Sequence, residues 1–362
     1  MRKKLALMLA SAVAAGGISA LTSVAHGAVP FTEAFNTGDV TDGGLWSTGA
    51  ITSPANVSFV EPVGGPLVMG VSPSNPVGTQ EGAYIQTPST SVANFTNSGM
   101  LATLTATPGT SLAPQNGGDT GIFAPNKAAT YLGVTVAGAA ETTGTAAPNY
   151  AGATRIDTGV DKAYIAINSF NAIQFSLEYF DPTVVAGSPN GKNNFINYTF
   201  NRATDEIPAP APNIIVTSMF LYLDANDTAN GNLWINAGAT WLDTNTNIST
   251  TDRIEGTTQA LSDVGLVTAQ TDPSTGQLAY DWGNKAGPYY GAGTTVEDQA
   301  IASQFLGGSA LGIEVQDGTT DANANGNSIS LGSLVVQVPE PTSLGLVALG
   351  AGMLLRRKNR KA

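Results

Sequence analysis

The sequence predicts an all-β protein, a two-sheet antiparallel sandwich with one short helix on it. Three observations lead there. Short runs alternate apolar and polar residues, the two-residue period of a strand with one face in a core. Asn-Gly pairs, the favoured hairpin turn, punctuate the chain at Asn116-Gly117, Asn190-Gly191, Asn230-Gly231 and Asn325-Gly326. Between two unusual ends lie about 310 residues, enough for a core between two sheets rather than a small barrel.

The N-terminal end is a secretory signal. Arg2, Lys3 and Lys4 form a positive region and Leu5 to Val13 an apolar one. Small residues follow as far as Ala25-His26-Gly27. That layout predicts a signal peptide over residues 1–27, cut after Gly27.

The body, residues 28–338, then reads as strands in order. Val57–Val60 and Pro66–Val71 flank a Gly64-Gly65 turn, and Ala83–Thr87 follows. Lys162–Phe170, Ala172–Phe180 and Asn194–Phe200 alternate clearly. In Ala172–Phe180, Ile173, Phe175, Leu177 and Tyr179 fall on one face, and Gln174, Ser176 and Glu178 on the other. Ile214–Leu223, Asn232–Trp241, Leu311–Val315 and Ser328–Val338 complete the set. Thr294–Leu306 breaks the period: Val296, Ala300, Ile301 and Phe305 recur at helical spacing, and Thr294 with Glu297 makes a capping box. The proline-rich stretch from Ile207 to Asn213 reads either as a domain boundary near 201–213 or as a connection within one sandwich.

The C-terminal end, residues 339–362, is a second address. Pro339 and Pro341 bar a helix from starting before Thr342. Ser343 to Leu355 is uncharged, so a membrane helix is expected over 342–355. At 1.5 Å per residue it spans roughly 20 Å against a hydrocarbon core of about 30 Å. The stems of Arg356 and Arg357 extend it by snorkelling. Lys358, Arg360 and Lys361 join them on the cytoplasmic side. Pro339-Glu340-Pro341, an apolar helix and a terminal cluster holding Arg356, Arg357 and Lys358 together resemble the PEP-CTERM sorting signal. The resemblance implies export in a Gram-negative-type bacterium and recognition by an exosortase, a membrane-embedded, cysteine-protease-like transpeptidase. It further implies loss of the tail and delivery to the cell surface or an extracellular polysaccharide matrix.

Phe31–Gly49 opens the body with a Phe-rich strand, a polar loop and Trp46. With Val68-Met69-Gly70-Val71 and Gly82–Thr87 it resembles the start of concanavalin A-like, laminin-G-like jelly rolls. That resemblance implies that the first strand pairs with the last, here Ile329–Val338.

Composition excludes much chemistry. Seven of the 15 basic residues and 26 of the 27 acidic ones lie in residues 28–338, a net charge of −19. Nucleic acid is therefore not an expected partner, since that affinity rests on basic residues at phosphates. There is no cysteine, and the sole histidine, His26, leaves with the signal peptide. A Ser-His-Asp triad, a Cys-His pair and imidazole or thiolate zinc sites are all excluded from the mature chain. Carboxylates, hydroxyls, lysines and hard cations remain.

Three kinds of candidate site stand out. Asp321, Asn323 and Asn325 with Gly326 copy the first half of an EF-hand calcium loop, although its twelfth position, Gly332, lacks the bidentate Glu. Asp224–Asn232 and Asp243–Asn247 are similar clusters. Calcium is the cofactor such loops would take, and tight turns use the same residue types. Carboxylate pairs for glycoside cleavage need set separations. Glu178 with Asp181, Asp252 with Glu255 in an expected loop, and Glu297 with Asp298 at the expected helix start do not make that pattern. Aromatic residues stack on sugars: Trp282, Tyr289 and Tyr290 sit in loop-like sequence, and Trp234 and Trp241, seven apart, would point to opposite faces of a strand. The expectation is an exported, non-catalytic, glycan-binding sandwich. The rivals are a carboxylate-dependent glycoside hydrolase or lyase on the same fold and a purely structural surface protein.

Overall fold

The computed structural model describes residues 31–50, 54–72, 81–87, 99–114, 128–136, 161–169, 171–180, 191–192, 195–201, 211–227, 232–253, 270–272, 275–281, 309–317 and 326–337. Among them the secondary structure is strand, apart from single 3-10 turns at Asp42–Gly44 and Pro54–Asn56. The expected helix over 294–306, the signal peptide and the tail helix lie outside the described residues.

The strands in chain order are β1 (Phe31–Glu33), β2 (Ser47–Ala50), β3 (Val57–Val60), β4 (Leu67–Val71), β5 (Glu81–Gln86) and β6 (Met100–Ala106). Next come β7 (Ala129–Val136), β8 (Asp161–Asn168), β9 (Ile173–Phe180), β10 (Gly191–Lys192), β11 (Phe195–Asn201) and β12 (Ile214–Asp227). The last are β13 (Asn232–Asp243), β14 (Ile248–Arg253), β15 (Gln270–Thr271), β16 (Leu278–Asp281), β17 (Ser309–Asp317) and β18 (Asn327–Gln337).

They form two antiparallel sheets. The first runs β15-β16-β13-β12-β6-β18-β4-β3, with β1 beside β18 and β14 beside β13. The second runs β10-β11-β9-β8-β7-β17-β5-β2. β1 pairs with β18 antiparallel, Phe31 opposite Val336, as the jelly-roll resemblance implies. The Gly64-Gly65 turn joins β3 to β4, and Gly64 takes the positive φ of +72° that the turn requires.

The alternation seen in the sequence is what builds the core. Along β6 buried and half-buried residues strictly alternate. Met100, Ala102 and Leu104 point inward with Leu67, Met69, Met219, Leu221, Leu334 and Val336 of the same sheet. They meet Ile85, Leu132, Val134, Ile165, Ile313 and Val315 of the other. Removing one such side chain, as in Leu→Ala, costs about 2–5 kcal/mol.

The outward positions depart from the simple half-buried strand. Tyr131, Tyr164, Glu314 and Gln316 on the second sheet, and Tyr222, Trp234 and Asn236 on the first, alternate out of phase with the core yet are buried. A buried polar side chain needs partners, so these two patches are where chemistry beyond packing sits. Asp252, expected in a loop, instead lies in β14, opposite Ala239. The strand forms because Thr250, Thr251 and their neighbours pair across to β13, and the Asp252 carboxylate accepts the Trp241 indole N–H at 2.9 Å.

Candidate functional site

The register of the second sheet sets five residues in a row on its outer face. Gly49 of β2 stands opposite Tyr84 of β5, Tyr84 opposite Glu314 of β17, Glu314 opposite Tyr131 of β7, and Tyr131 opposite Ala166 of β8. Glu314 is thus flanked by two tyrosines whose strands lie about 5 Å to either side along the sheet. Glu314 has no exposed surface, while Tyr84 is half-buried. The Tyr131 hydroxyl donates to Gln316 Oε1 at 2.9 Å. Its ring meets the ring of Tyr164 edge-on, centroids 5.7 Å apart.

In the next row Gly312 faces Gly133, between Gln86 and Tyr164. Both glycines are buried, with the Tyr164 side chain beside them. Gly49 has a steric reason: a Cβ there would run into the Tyr84 hydroxyl and ring, so glycine lets Tyr84 lie across β2. Burial first, and then the charge of Glu314, raises the pKa of Tyr84. Burial, Tyr164 and Glu314 push Tyr131 well above the usual tyrosine value. Both phenols therefore stay protonated at neutral pH.

The outer face of the first sheet holds a second cluster. Tyr222 of β12 donates its hydroxyl to Asp272 Oδ2 at 2.6 Å and lies 2.6 Å from the Thr275 hydroxyl. Asp272 and Thr275 belong to the turn between β15 and β16. That turn is closed by Gly276 N–H to the Asp272 carbonyl and Asp272 N–H to the Gln277 carbonyl, each 2.8 Å. Burial first, and then the bond to Asp272, hold the Tyr222 hydroxyl far above the ordinary range. Asp224 and Trp234 face each other across β12 and β13, and Gly99 packs close to the Asp224 side chain. Asn236 donates to the Leu278 carbonyl at 2.7 Å. Its Oδ1 and the Trp234 indole N–H are buried without a hydrogen-bond partner. Tyr222, Trp234 and Ala279 form a small apolar cluster apart from the main core.

β18 stops at Gln337, and the sequence that follows it is the Pro-Glu-Pro corner. The profile of the PEP-CTERM protein-sorting motif matches residues 337–360. The chain carries a PEP-CTERM sorting motif. The motif marks the protein for export and for exosortase sorting to the envelope of a Gram-negative bacterium. No curated protein matches the chain. Among solved structures it is similar to lectin II from Ulex europaeus, at 6% identity over 85% of this chain and 97% of that one, with a TM-score of 0.35. It is similar to a prokaryotic β-1,3-1,4-glucanase (lichenase) from a mouse hindgut metagenome, at 12% identity, 85% and 98% coverage and a TM-score of 0.34. It is also similar to the enzymatically active domain of tailspike protein 2 from bacteriophage CBA120, at 11% identity, 88% and 30% coverage and a TM-score of 0.28. Scores this low carry no weight, and the sandwich rests on its own strand pairing.

Beside the PEP-CTERM motif, the residues singled out in the sequence fall in two groups. Asp321, Asn323, Asn325, Trp282, Tyr289, Tyr290, Pro339, Glu340, Pro341, Arg356, Arg357 and Lys358 lie outside the described residues. Among the described residues there is no group of three or more acidic side chains fit to hold a metal ion, and no helix long and apolar enough to cross a membrane. Asp243, from one of the calcium-like clusters, caps a turn: its Oδ1 accepts Asn213 Nδ2 and Asn245 N–H, both at 2.9 Å. Those bonds, Asn213 first, lower its pKa. Asp224, from another cluster, is brought to Trp234. Trp234 and Trp241 do point to opposite faces, the latter packing against the main core.

Sequence reasoning missed Glu314 and its two tyrosines. A signal was present. Leu311-Gly312-Ile313-Glu314-Val315 carries one charge in an apolar run, and a lone carboxylate mid-strand must meet something polar on its own face.

Proposed function

We propose that this exported sandwich is a non-catalytic component of the cell surface or extracellular matrix, and that it binds a neutral polysaccharide on the outer face of its second sheet. The observation that supports this reading is the Tyr84–Glu314–Tyr131 row, with Tyr84 part-exposed at its end. Sugar rings offer C–H faces to aromatic rings and hydroxyls to planar carboxylates and amides. Tyr84, part-exposed, supplies both a ring and a hydroxyl. The charge of −19 over residues 28–338 disfavours a polyanion, and export to the envelope brings the protein among polysaccharides. Tyr84, the half-buried member, is what a sugar reaches first.

Glu314 itself favours a second reading, hydrolysis. A glycosidase of the usual kind needs a second carboxyl within about 5–9.5 Å. Among the described residues none stands in the row or in the rows on either side of it. Retention on gels containing β-glucan, galactan or mannan, together with a reducing-end assay on the same polymers, separates the readings. A binder is retained by at least one polymer and releases no reducing ends. Tyr84→Ala then weakens retention about tenfold, near 1.4 kcal/mol, whereas Glu314→Gln keeps it. Reducing ends that vanish with Glu314→Gln would replace binding by hydrolysis.

A further inference from the structure

Both ends of the sandwich leave at one rim. β1 runs antiparallel to β18 with Phe31 opposite Val336. The chain before Phe31 and the chain after Gln337 therefore depart the same way. From the expected cut after Gly27 to Phe31 is four residues, a reach of at most about 14 Å. On the other side there is no spacer at all. Gln337 is still paired, opposite Leu101 of β6, and it is already the first residue of the sorting motif. Only Val338 separates it from Pro339, so the motif's proline lies at most about 7 Å from the sheet.

β18 is also an interior strand. β6 holds it on one side from Leu331 to Gln337. On the other side β4 pairs as far as Leu331, and β1 then takes Leu334 to Val336. β1 is short but pinned, because the Glu33 carboxylate accepts the Phe35 N–H at 2.7 Å and the Trp46 indole N–H at 3.2 Å. Peeling the end of β18 into a peptidase groove would break ladder bonds on both sides. It would also expose Val336, which is fully buried.

We propose that the tail is removed from the finished sandwich, with the β1–β18 rim seated against the membrane-embedded sorting enzyme and the paired end of β18 setting the nearest point a cut can fall. This rests on the sorting motif and is independent of polysaccharide binding. One peptide bond beyond Gln337 breaks. Its acyl carbon passes to water or to an amine, and the nitrogen of the departing tail takes a proton.

The chain has no cysteine, so a staple can be placed cleanly. Thr32 and Val335 are directly opposite, and such neighbours are 4.5–5.5 Å apart at Cα, within disulfide reach. The double variant Thr32→Cys/Val335→Cys, made in the native bacterium, is followed by intact mass with and without reductant. Tail loss from the oxidised form within about twofold of the unmodified chain is the expected result. An oxidised form that keeps its tail until reduced would overturn the proposal. As a second route, ten Gly/Ser residues placed after Gln337 should leave the rate within about twofold. A several-fold acceleration would show that the folded rim obstructs processing and would equally overturn it. Replacing Pro339, Glu340 and Pro341 by alanine reads the motif separately, since that chain keeps its tail whatever the state of the rim.

Discussion

On the first sheet the outward Tyr222 gives its hydroxyl to Asp272 and meets Thr275, both from the β15–β16 turn. On the second sheet the outward Tyr131 gives its hydroxyl to Gln316, on the adjacent strand of the same face. Both phenols are buried and both have a raised pKa, but their surroundings do different things. Asp272 is held by the backbone of its own turn, and the turn is held to the sheet by Tyr222. That cluster closes on itself and fastens β15 and β16 to the body. The Glu314 row has no such turn among its members. Its polar groups come from matching positions along neighbouring strands, and Tyr84 reaches the surface. The contrast teaches that a buried tyrosine can be anchored either to a turn that it holds in place or to a neighbour on its own sheet face.

The comparison can be broken most directly at Tyr222. Tyr222→Phe leaves a buried carboxylate and a hydroxyl without their donor, so stability should fall by about 2–3 kcal/mol in a urea titration. Polysaccharide retention should not change. A loss below 0.5 kcal/mol would mean that the turn is not fastened there. Next in size is Gly49→Ala on the other sheet. Its methyl displaces the Tyr84 ring, and retention should drop about five- to tenfold, close to the effect of Tyr84→Ala. Stability should change by less than about 1 kcal/mol.

The pH dependence sharpens the same contrast. Tyr222 and Tyr131 have native pKa values above their ordinary 10.0. Above that pH the unfolded chain releases protons that the native state keeps, so stability is level below about 10 and declines as pH rises further. Tyr222→Phe removes one of these groups and should make the alkaline decline shallower by up to about 1.4 kcal/mol per pH unit. The smallest effect belongs to Glu314→Gln. With the charge gone, Tyr84 should titrate closer to its ordinary value while burial still holds it above. Tyrosine-labelled NMR would show this, and an unmoved Tyr84 would mean that the carboxylate does not face it.

Much of this was legible from residues alone. Ile173-Gln174-Phe175-Ser176 announces a strand because its period is local, and β9 starts at Ile173. β6, with Met100-Leu101-Ala102-Thr103, is equally regular, but its small alanines and threonines gave too weak a hydrophobic signal to be placed. The Tyr84–Glu314–Tyr131 row was invisible, because its members are 47 and 183 residues apart in sequence and nothing local encodes their register. Asp272 reads as an ordinary turn residue, and only Tyr222, 50 residues earlier, gives it a second task.

By itself the sequence determined that the chain makes strands, that it has no thiol and a single histidine, His26, ahead of the sandwich, and that its C-terminal end is an address. Those properties follow from composition, from the two-residue side-chain period and from contiguous motifs, all readable over a few neighbouring residues. The tertiary structure alone decided which strands are neighbours. Pairing is set by hydrogen bonds and buried area between segments hundreds of residues apart. That is why the carboxylate between two phenols, the tyrosine fastened to a distant turn, and the shared rim of Phe31 and Gln337 appear only in the folded protein.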